Sequence, residues 1–297
     1  MNIGRIATAM ITPFHEDGTI HYEEIARLIE HLIANGTDSL VVCGTTGESP
    51  TLSSEEKIRI FQYVVQKANK RIPVIAGTGS NNTKESILLT QKAEAAGVDG
   101  IMLVAPYYNK PSQQGMYEHF AAIAQATSLP VMLYNIPGRS GVNMTPETVL
   151  ALSDIPNIQI VKEASGSLDQ MAEILANAPQ GFQVYSGDDG LTLPLLSIGG
   201  SGIVSVASHL VGYDMQKMMK AYYDGEHEKA ARIHQALLPL IRALFATPSP
   251  STLKYALANQ GLGTESVRLP IISLTAEEKR AYDLAWREYE EKQKSFD

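Results

Sequence analysis

Cysteine is almost absent from this chain. Cys43 is the only one in 297 residues, so neither an intrachain disulfide nor a cysteine metal cluster can form. It lies in the apolar run Leu40-Val41-Val42-Cys43 and reads as a small core hydrophobe rather than a nucleophile. Positive charge is in deficit. The 24 Lys and Arg face 32 Asp and Glu, a net charge of −8, which argues against a nucleic-acid surface or an anionic-membrane anchor. No uninterrupted apolar run reaches the roughly 18 residues of a bilayer span. Met1 to Pro13 carries one base, Arg5, and no small-residue cleavage site behind a long apolar core, so it does not read as a signal peptide. A soluble, cytoplasmic protein is expected. There is no low-complexity stretch. The histidines, among them His31, His119 and His234, show no ligand spacing and read mostly as helix-surface residues. Gly77-x-Gly79 lacks the third glycine of a dinucleotide loop. Nothing requires a metal or an organic cofactor.

What the chain does have is regular alternation. Short apolar runs, bounded by turn residues, recur from end to end: 6–12, 39–43, 73–76, 100–104, 130–134, 158–162, 182–185 and 202–206. Helical patterns separate them. One spans about Tyr22 to Ala34, with Ile25, Leu28, Ile29, Leu32 and Ile33 at helical spacing and Gly36 as its C-terminal cap. Another spans Thr83 to Ala96. Ser53 with Glu56, Ser167 with Gln170, and Thr275 with Glu278 have the spacing of capping boxes. Thr145-Pro146 reads as an N-cap followed by proline at the first helical position. Strands alternating with helices predict βα units and a parallel sheet. Eight units in a chain of this length predict a (β/α)8 barrel, typically about 250 residues. The competitor, a doubly wound sheet, is weakened by the missing phosphate-binding fingerprint after the first strand. After about Met215 the strand signals stop. We therefore divide the chain into a barrel over 1–225 and a helical region over 226–297. Its last helix presents Tyr282, Trp286 and Tyr289 on an aromatic face suited to intrachain packing.

The residue around which the chemistry gathers is Lys162. It closes the run Ile158-Gln159-Ile160-Val161-Lys162. Strand side chains alternate, so Lys162 is expected to share a face with Ile158 and Ile160. Burial there would lower its pKa and free the amine to attack a carbonyl. The plainer reading is a strand-end lysine that snorkels to water. The barrel decides between them, because barrel active sites lie at the C-terminal ends of the strands. Lys162 ends the sixth run and Tyr134 the fifth. Thr45 and Thr46 follow the second, Tyr107 and Tyr108 the fourth, and Arg139 lies beyond the fifth. A lysine in such a mouth suits Schiff-base chemistry with a keto acid, with Tyr134 as proton shuttle. Gly44-Thr45-Thr46-Gly47 offers N–H groups and hydroxyls for a carboxylate. Arg139 offers a fork for a second one. Asp188-Asp189 reads as a helix-start cap rather than a metal site.

These motifs carry a resemblance. Gly44-Thr45-Thr46-Gly47-Glu48-Ser49, Ala105-Pro106-Tyr107-Tyr108-Asn109-Lys110-Pro111, Tyr134-Asn135-Ile136-Pro137-Gly138-Arg139, Val161-Lys162-Glu163-Ala164-Ser165-Gly166 and Ser186-Gly187-Asp188-Asp189 resemble the dihydrodipicolinate synthase family in the same order, over nearly the whole chain. The resemblance implies condensation of pyruvate with L-aspartate 4-semialdehyde on the route to diaminopimelate and lysine, with no cofactor. It implies that Lys162 forms the Schiff base, that Tyr134 moves protons, and that Thr45 links it into a relay completed by Tyr108 of a neighbouring subunit. Thr46, Val204 and Gly187 would contact pyruvate and Arg139 the carboxylate of the semialdehyde. The assembly implied is a homotetramer of dimers. In lysine-inhibited members histidines stand at the positions of Ser54 and Lys57, whereas Asn81, Glu85 and Tyr107 match the effector site, so lysine is expected to inhibit weakly or not at all. The usual Asn-Pro-Ile-Pro-Val-Lys pattern appears as Ser249-Pro250-Ser251-Thr252-Leu253-Lys254. Two alternatives stay open: a sister lyase such as N-acetylneuraminate lyase, and a non-catalytic pyruvate-binding barrel.

Overall fold

The structure is a computed structural model that describes residues 1–294 and Phe296; Ser295 and Asp297, inside the expected helical region, lie outside it. Eight strands form a closed parallel barrel. They are β1 (Ile6–Ala9), β2 (Ser39–Val42), β3 (Val74–Gly77), β4 (Gly100–Val104), β5 (Val131–Asn135), β6 (Ile158–Glu163), β7 (Gln183–Ser186) and β8 (Gly202–Ser205). Each pairs with the next, and β8 returns to β1 through Ile6↔Ile203, Ala7↔Val204 and Thr8↔Ser205. The helices are α1 (Tyr22–Ala34), α2 (Ser54–Ala68), α3 (Thr83–Ala95), α4 (Gln113–Ala124), the single turn α5 (Pro137–Ser140), α6 (Pro146–Ser153), α7 (Leu168–Asn177), α8 (Thr192–Ser197), α9 (Ser208–Tyr223), α10 (His227–Leu244), α11 (Ser251–Asn259) and α12 (Ala276–Gln293). No helix among the described residues is long and apolar enough to cross a membrane.

Alternation along the strands sorts the core into two layers. Ala7, Ala9, Val41, Ile75, Met102, Met132, Ile160, Tyr185 and Val204 fill the barrel. The intervening side chains pack outward under the helices, in one core that continues from Met215 and Met218 to Ile233 and Leu237. Ile158 departs from expectation: it belongs to the outer layer, not to the face of Ile160 and Lys162. The register explains why. Val131 pairs with Ile158 and Met132 with Ile160, so Gln159 is an extra residue, and a bulge reverses the side-chain phase before the lysine.

Other local expectations are also corrected. The first strand stops at Ala9, not Thr12; beyond it Met10 N–H still reaches Val41 O at 2.9 Å, but Phe14 bridges Ile20 in a small hairpin instead. Ser53/Glu56 and Thr275/Glu278 form reciprocal capping boxes. Ser167 caps α7 only one way, because the Gln170 side chain is taken up by Glu163 at 2.9 Å. Thr145 makes no side-chain cap. His119 is buried rather than on the surface, its Nδ1 at 2.9 Å from Thr83 Oγ1. His209, buried too, contacts the Ile11 N–H and the Val206 carbonyl. The aromatic face of α12 packs inside the chain, as expected: Tyr282 meets Tyr255 edge-on, Trp286 meets Tyr289, and the Tyr289 hydroxyl donates to buried Asp214.

Candidate active site

Lys162 lies one residue from the end of β6, paired with Tyr134 on one side and Tyr185 on the other. It is 6% exposed, and its Nζ stands 4.0 Å from the centroid of the Tyr134 ring. Removal from water pulls the amine down from its ordinary 10.5 to about 7; the buried Asp189 carboxyl opposes that fall and Arg139 adds to it. Gly187 gives the lysine room, since a Cβ there would stand 3.0 Å from Lys162 Cε.

Two acids behind the lysine escaped sequence reasoning. Glu163, fully buried, accepts from Asn135 Nδ2 (3.0 Å), Gln170 Nε2 (2.9 Å) and Ser165 N–H (2.7 Å). It ties the end of β6 to β5 and α7. Asp189 is not a cap for its own turn. Asp188 does that, accepting from Gly190 N–H, while Asp189 crosses to β8 and accepts from Ser205 Oγ (2.5 Å), Val206 N–H (3.1 Å) and Ala207 N–H (3.2 Å). Burial raises its pKa and these donors oppose the rise. The only available signal was position, Glu163 at the end of β6 and Asp189 in the loop just past β7.

A cavity of about 270 Å³ opens in front of this group. Thr45, Tyr134 and Arg139 line it, with Ser49, Lys57 and Tyr107 further out. Thr45 is hydrogen-bonded to Tyr134, but burial dominates and pushes the phenol up to about 12. Tyr134 therefore holds its proton at neutral pH and can donate it. The N–H groups of Thr45 and Thr46 meet no acceptor among the described residues, whereas Glu48 N–H closes the turn onto Thr45 O at 3.0 Å. Two unsatisfied amides beside a hydroxyl suit a carboxylate. Arg139 is exposed on α5. Thr46, Lys162, Gly187 and Val204 are set back from the cavity lining; Val204 sits in the barrel interior. Tyr108 is not brought in. It is 89% exposed at φ +72°, and its neighbour Tyr107 faces the cavity instead. Cys43 is buried and its thiol raised to about 12, so it is inert.

Away from this mouth, His15, His21 and Glu23 place potential ligand atoms within 4.8 Å of one another. The two imidazoles stack at 3.9 Å and 19°, so their in-plane lone pairs run side by side instead of converging on an ion.

A closed (β/α)8 barrel whose mouth holds a buried, partly neutral lysine against a tyrosine defines a class: barrel enzymes that use a lysine amine on carbonyl substrates. Within that class the chain belongs to the dihydrodipicolinate synthetase family, whose model matches residues 2–286. It is 61% identical over 279 residues to the 4-hydroxy-tetrahydrodipicolinate synthase of Bacillus velezensis, covering 94% of this chain and 96% of that one. It is 60% identical over 280 residues to the Bacillus subtilis enzyme of that name, covering 94% and 97%. A crystal structure of dihydrodipicolinate synthase from Bacillus anthracis superposes with a TM-score of 0.96 at 54% identity, covering 97% of this chain and 98% of that one. A lysine-bound structure of the enzyme from Cyanidioschyzon merolae gives 0.94 at 46%, covering 97% and 98%.

Proposed function

We propose that this chain is a 4-hydroxy-tetrahydrodipicolinate synthase, condensing pyruvate with L-aspartate 4-semialdehyde. The observation that carries the reading is the buried Lys162 amine, drawn down to about 7 and set 4.0 Å from the Tyr134 ring. Neutral Lys162 adds to the ketone carbon of pyruvate. The carbonyl oxygen leaves as water, with Tyr134 supplying a proton through its link to Thr45. The protonated imine draws electrons from the adjoining methyl carbon, which loses a proton to give an enamine. That carbon bonds to the aldehyde carbon of the second substrate, whose oxygen takes up a proton. The adduct's own α-amino group is a nucleophile for the imine carbon, and its attack regenerates the free lysine. Thr45 and Thr46 N–H groups hold the pyruvate carboxylate, with Val204 and Gly187 shaping its pocket. Arg139 pairs with the carboxylate of the semialdehyde.

The test is condensation of the two substrates, run beside cleavage of N-acetylneuraminate. Condensation without cleavage is expected, and the reverse would overturn the reading. Borohydride in the presence of pyruvate should fix one pyruvate-derived mass on Lys162; absence of the adduct would sink the mechanism. Support for weak feedback comes from Lys57, a cationic side chain that lies with Tyr107 along the cavity and stands where lysine-inhibited relatives carry a histidine, so it opposes a ligand with two cationic groups. Free L-lysine should therefore leave initial rates near their uninhibited value, and strong inhibition would remove this argument. The working assembly in this reading is a homotetramer of dimers in which Tyr108 serves the neighbouring subunit's relay.

A further inference from the structure

The helical region beyond the barrel reaches the loop that holds Thr45 and Thr46 through one buried ion pair. Lys254 on α11 is fully buried, and its Nζ lies 2.5 Å from Glu48 Oε1. The same amine donates to Ser266 O at 2.7 Å and stands 4.1 Å from the Phe14 ring centroid. The second oxygen of Glu48 accepts from Arg268 N–H at 2.9 Å. Glu48 is thus held by two segments of chain more than 200 residues away. A charge pair this deep is a weak source of net stability, because desolvation offsets most of the attraction. Its geometry points to another use.

The loop it grips is bracketed by strain. Cys43 lies at φ +53° and Glu48 at φ +55°, a region that costs a non-glycine residue about 1–3 kcal/mol and persists only when its surroundings impose it. Between them, Gly47 is pressed so close to Met10 O that a Cβ would stand 3.1 Å away, and Gly47 O accepts from Thr12 Oγ1 at 2.8 Å. Thr12 pins the loop from the barrel side. Glu48, held by Lys254, pins it from the C-terminal side. Released from the pair, the Glu48 side chain keeps only the Arg268 N–H and loses the grip of α11. The turn that aims the Thr45 and Thr46 amides would then relax.

We infer that Lys254 is a positioning residue for keto-acid binding, acting through Glu48 on the Gly44–Gly47 loop. This rests on the proposed function, in which that loop holds the pyruvate carboxylate. It also gives the altered Ser249–Lys254 segment a meaning: of that stretch, the lysine is what the loop requires.

The experiment compares Lys254→Met, Glu48→Gln and the double variant in steady-state condensation, in borohydride trapping and in thermal melts. Lys254→Met should raise KM for pyruvate about tenfold or more, the equivalent of about 1.4 kcal/mol of lost binding, with kcat falling less. The semialdehyde KM should stay near its wild-type value. Lys254→Met leaves a buried carboxylate unpaired and should melt early. The double variant, with neither charge, should recover melting temperature yet keep the raised pyruvate KM. If Lys254→Met does not fold, Glu48→Gln and the double variant carry the measurement, with the same rise expected. A double variant that recovers both melting temperature and pyruvate KM would make the pair merely structural and overturn the inference. So would an unchanged pyruvate KM in folded Lys254→Met. Wild-type protein that traps pyruvate while the variants behave so sinks the clamp alone; wild-type protein that traps none sinks the proposed function and the clamp with it.

Discussion

At the scale of single residues, the site is a contest over one proton. Burial strips water from Lys162 and favours the neutral amine, while Asp189 favours the ammonium. Burial wins, and the sign can be tested twice. The rate of pyruvate trapping by borohydride should rise with pH up to about 7 and then level off, since the free amine is the reactant. A rate still climbing through pH 9, as for an ordinary lysine, would contradict the lowered value. Stability should move the other way on substitution. Below pH 7 both folded and unfolded chains carry the ammonium, and the folded chain bears the full cost of burying it. Between 7 and 10.5 the folded chain has shed the proton and that cost shrinks. Lys162→Met should therefore abolish trapping yet raise the melting temperature, most at pH 6 and progressively less towards pH 10. A variant that melts below wild type at pH 6 would show the amine to be stabilising. Of these residues, Lys162 and Tyr134 were legible because a polar side chain ended an apolar run. Asp189 was misread as a cap because its donors, Ser205, Val206 and Ala207, lie at and just past the end of β8, 16 to 18 residues further along the chain.

At the scale of elements, periodicity located all eight strands and most of the helices, since each strand is short, apolar and closed by turn residues. It failed where a neighbouring element set the outcome. The bulge at Gln159 depends on β5, not on the sequence of β6, and it moved Ile158 to the outer layer while leaving Lys162 inside. The capping box at Ser167 was half right because Gln170 is drawn to Glu163. That acid is the join between β5, β6 and α7, and Asn135 is its closest support on β5. Asn135 Nδ2 reaches both Glu163 oxygens and Asn143, and its Oδ1 accepts from Met144 N–H. Asn135→Ala should cost about 1–3 kcal/mol through unsatisfied buried groups. It should also slow trapping at Lys162 by loosening the strand end. Urea unfolding and trapping rate measure the two effects. A loss of stability with unchanged trapping would confine Glu163 to folding alone.

At the scale of the whole molecule, Tyr108 is the proposed relay residue that the chain does not turn into its own mouth. The site has its amine, phenol, threonine and arginine, but Tyr108 stands 89% exposed in a left-handed turn beside it. A φ of +72° is costly for a tyrosine, and the turn is held by Asn81, which donates to Tyr107 O at 3.1 Å and accepts from Asn109 Nδ2 at 3.0 Å. In the proposed assembly of dimers the neighbouring subunit uses this exposed ring, and a two-fold interface would make the exchange reciprocal. The expectation is open to complementation. Tyr108→Phe keeps Lys162 but sends out a defective ring; Lys162→Met has a dead site but sends out an intact Tyr108. Each alone should turn over slowly or not at all. Dissociated and reassembled together in equal amounts, half the dimers are mixed, and each mixed dimer holds one site with both groups intact. The mixture should therefore regain about a quarter of wild-type activity if pairing is random. Recovery should need subunit exchange and be missing when the variants are combined without it. No recovery after proven exchange would place the Tyr108 contribution within its own chain or remove it from the relay.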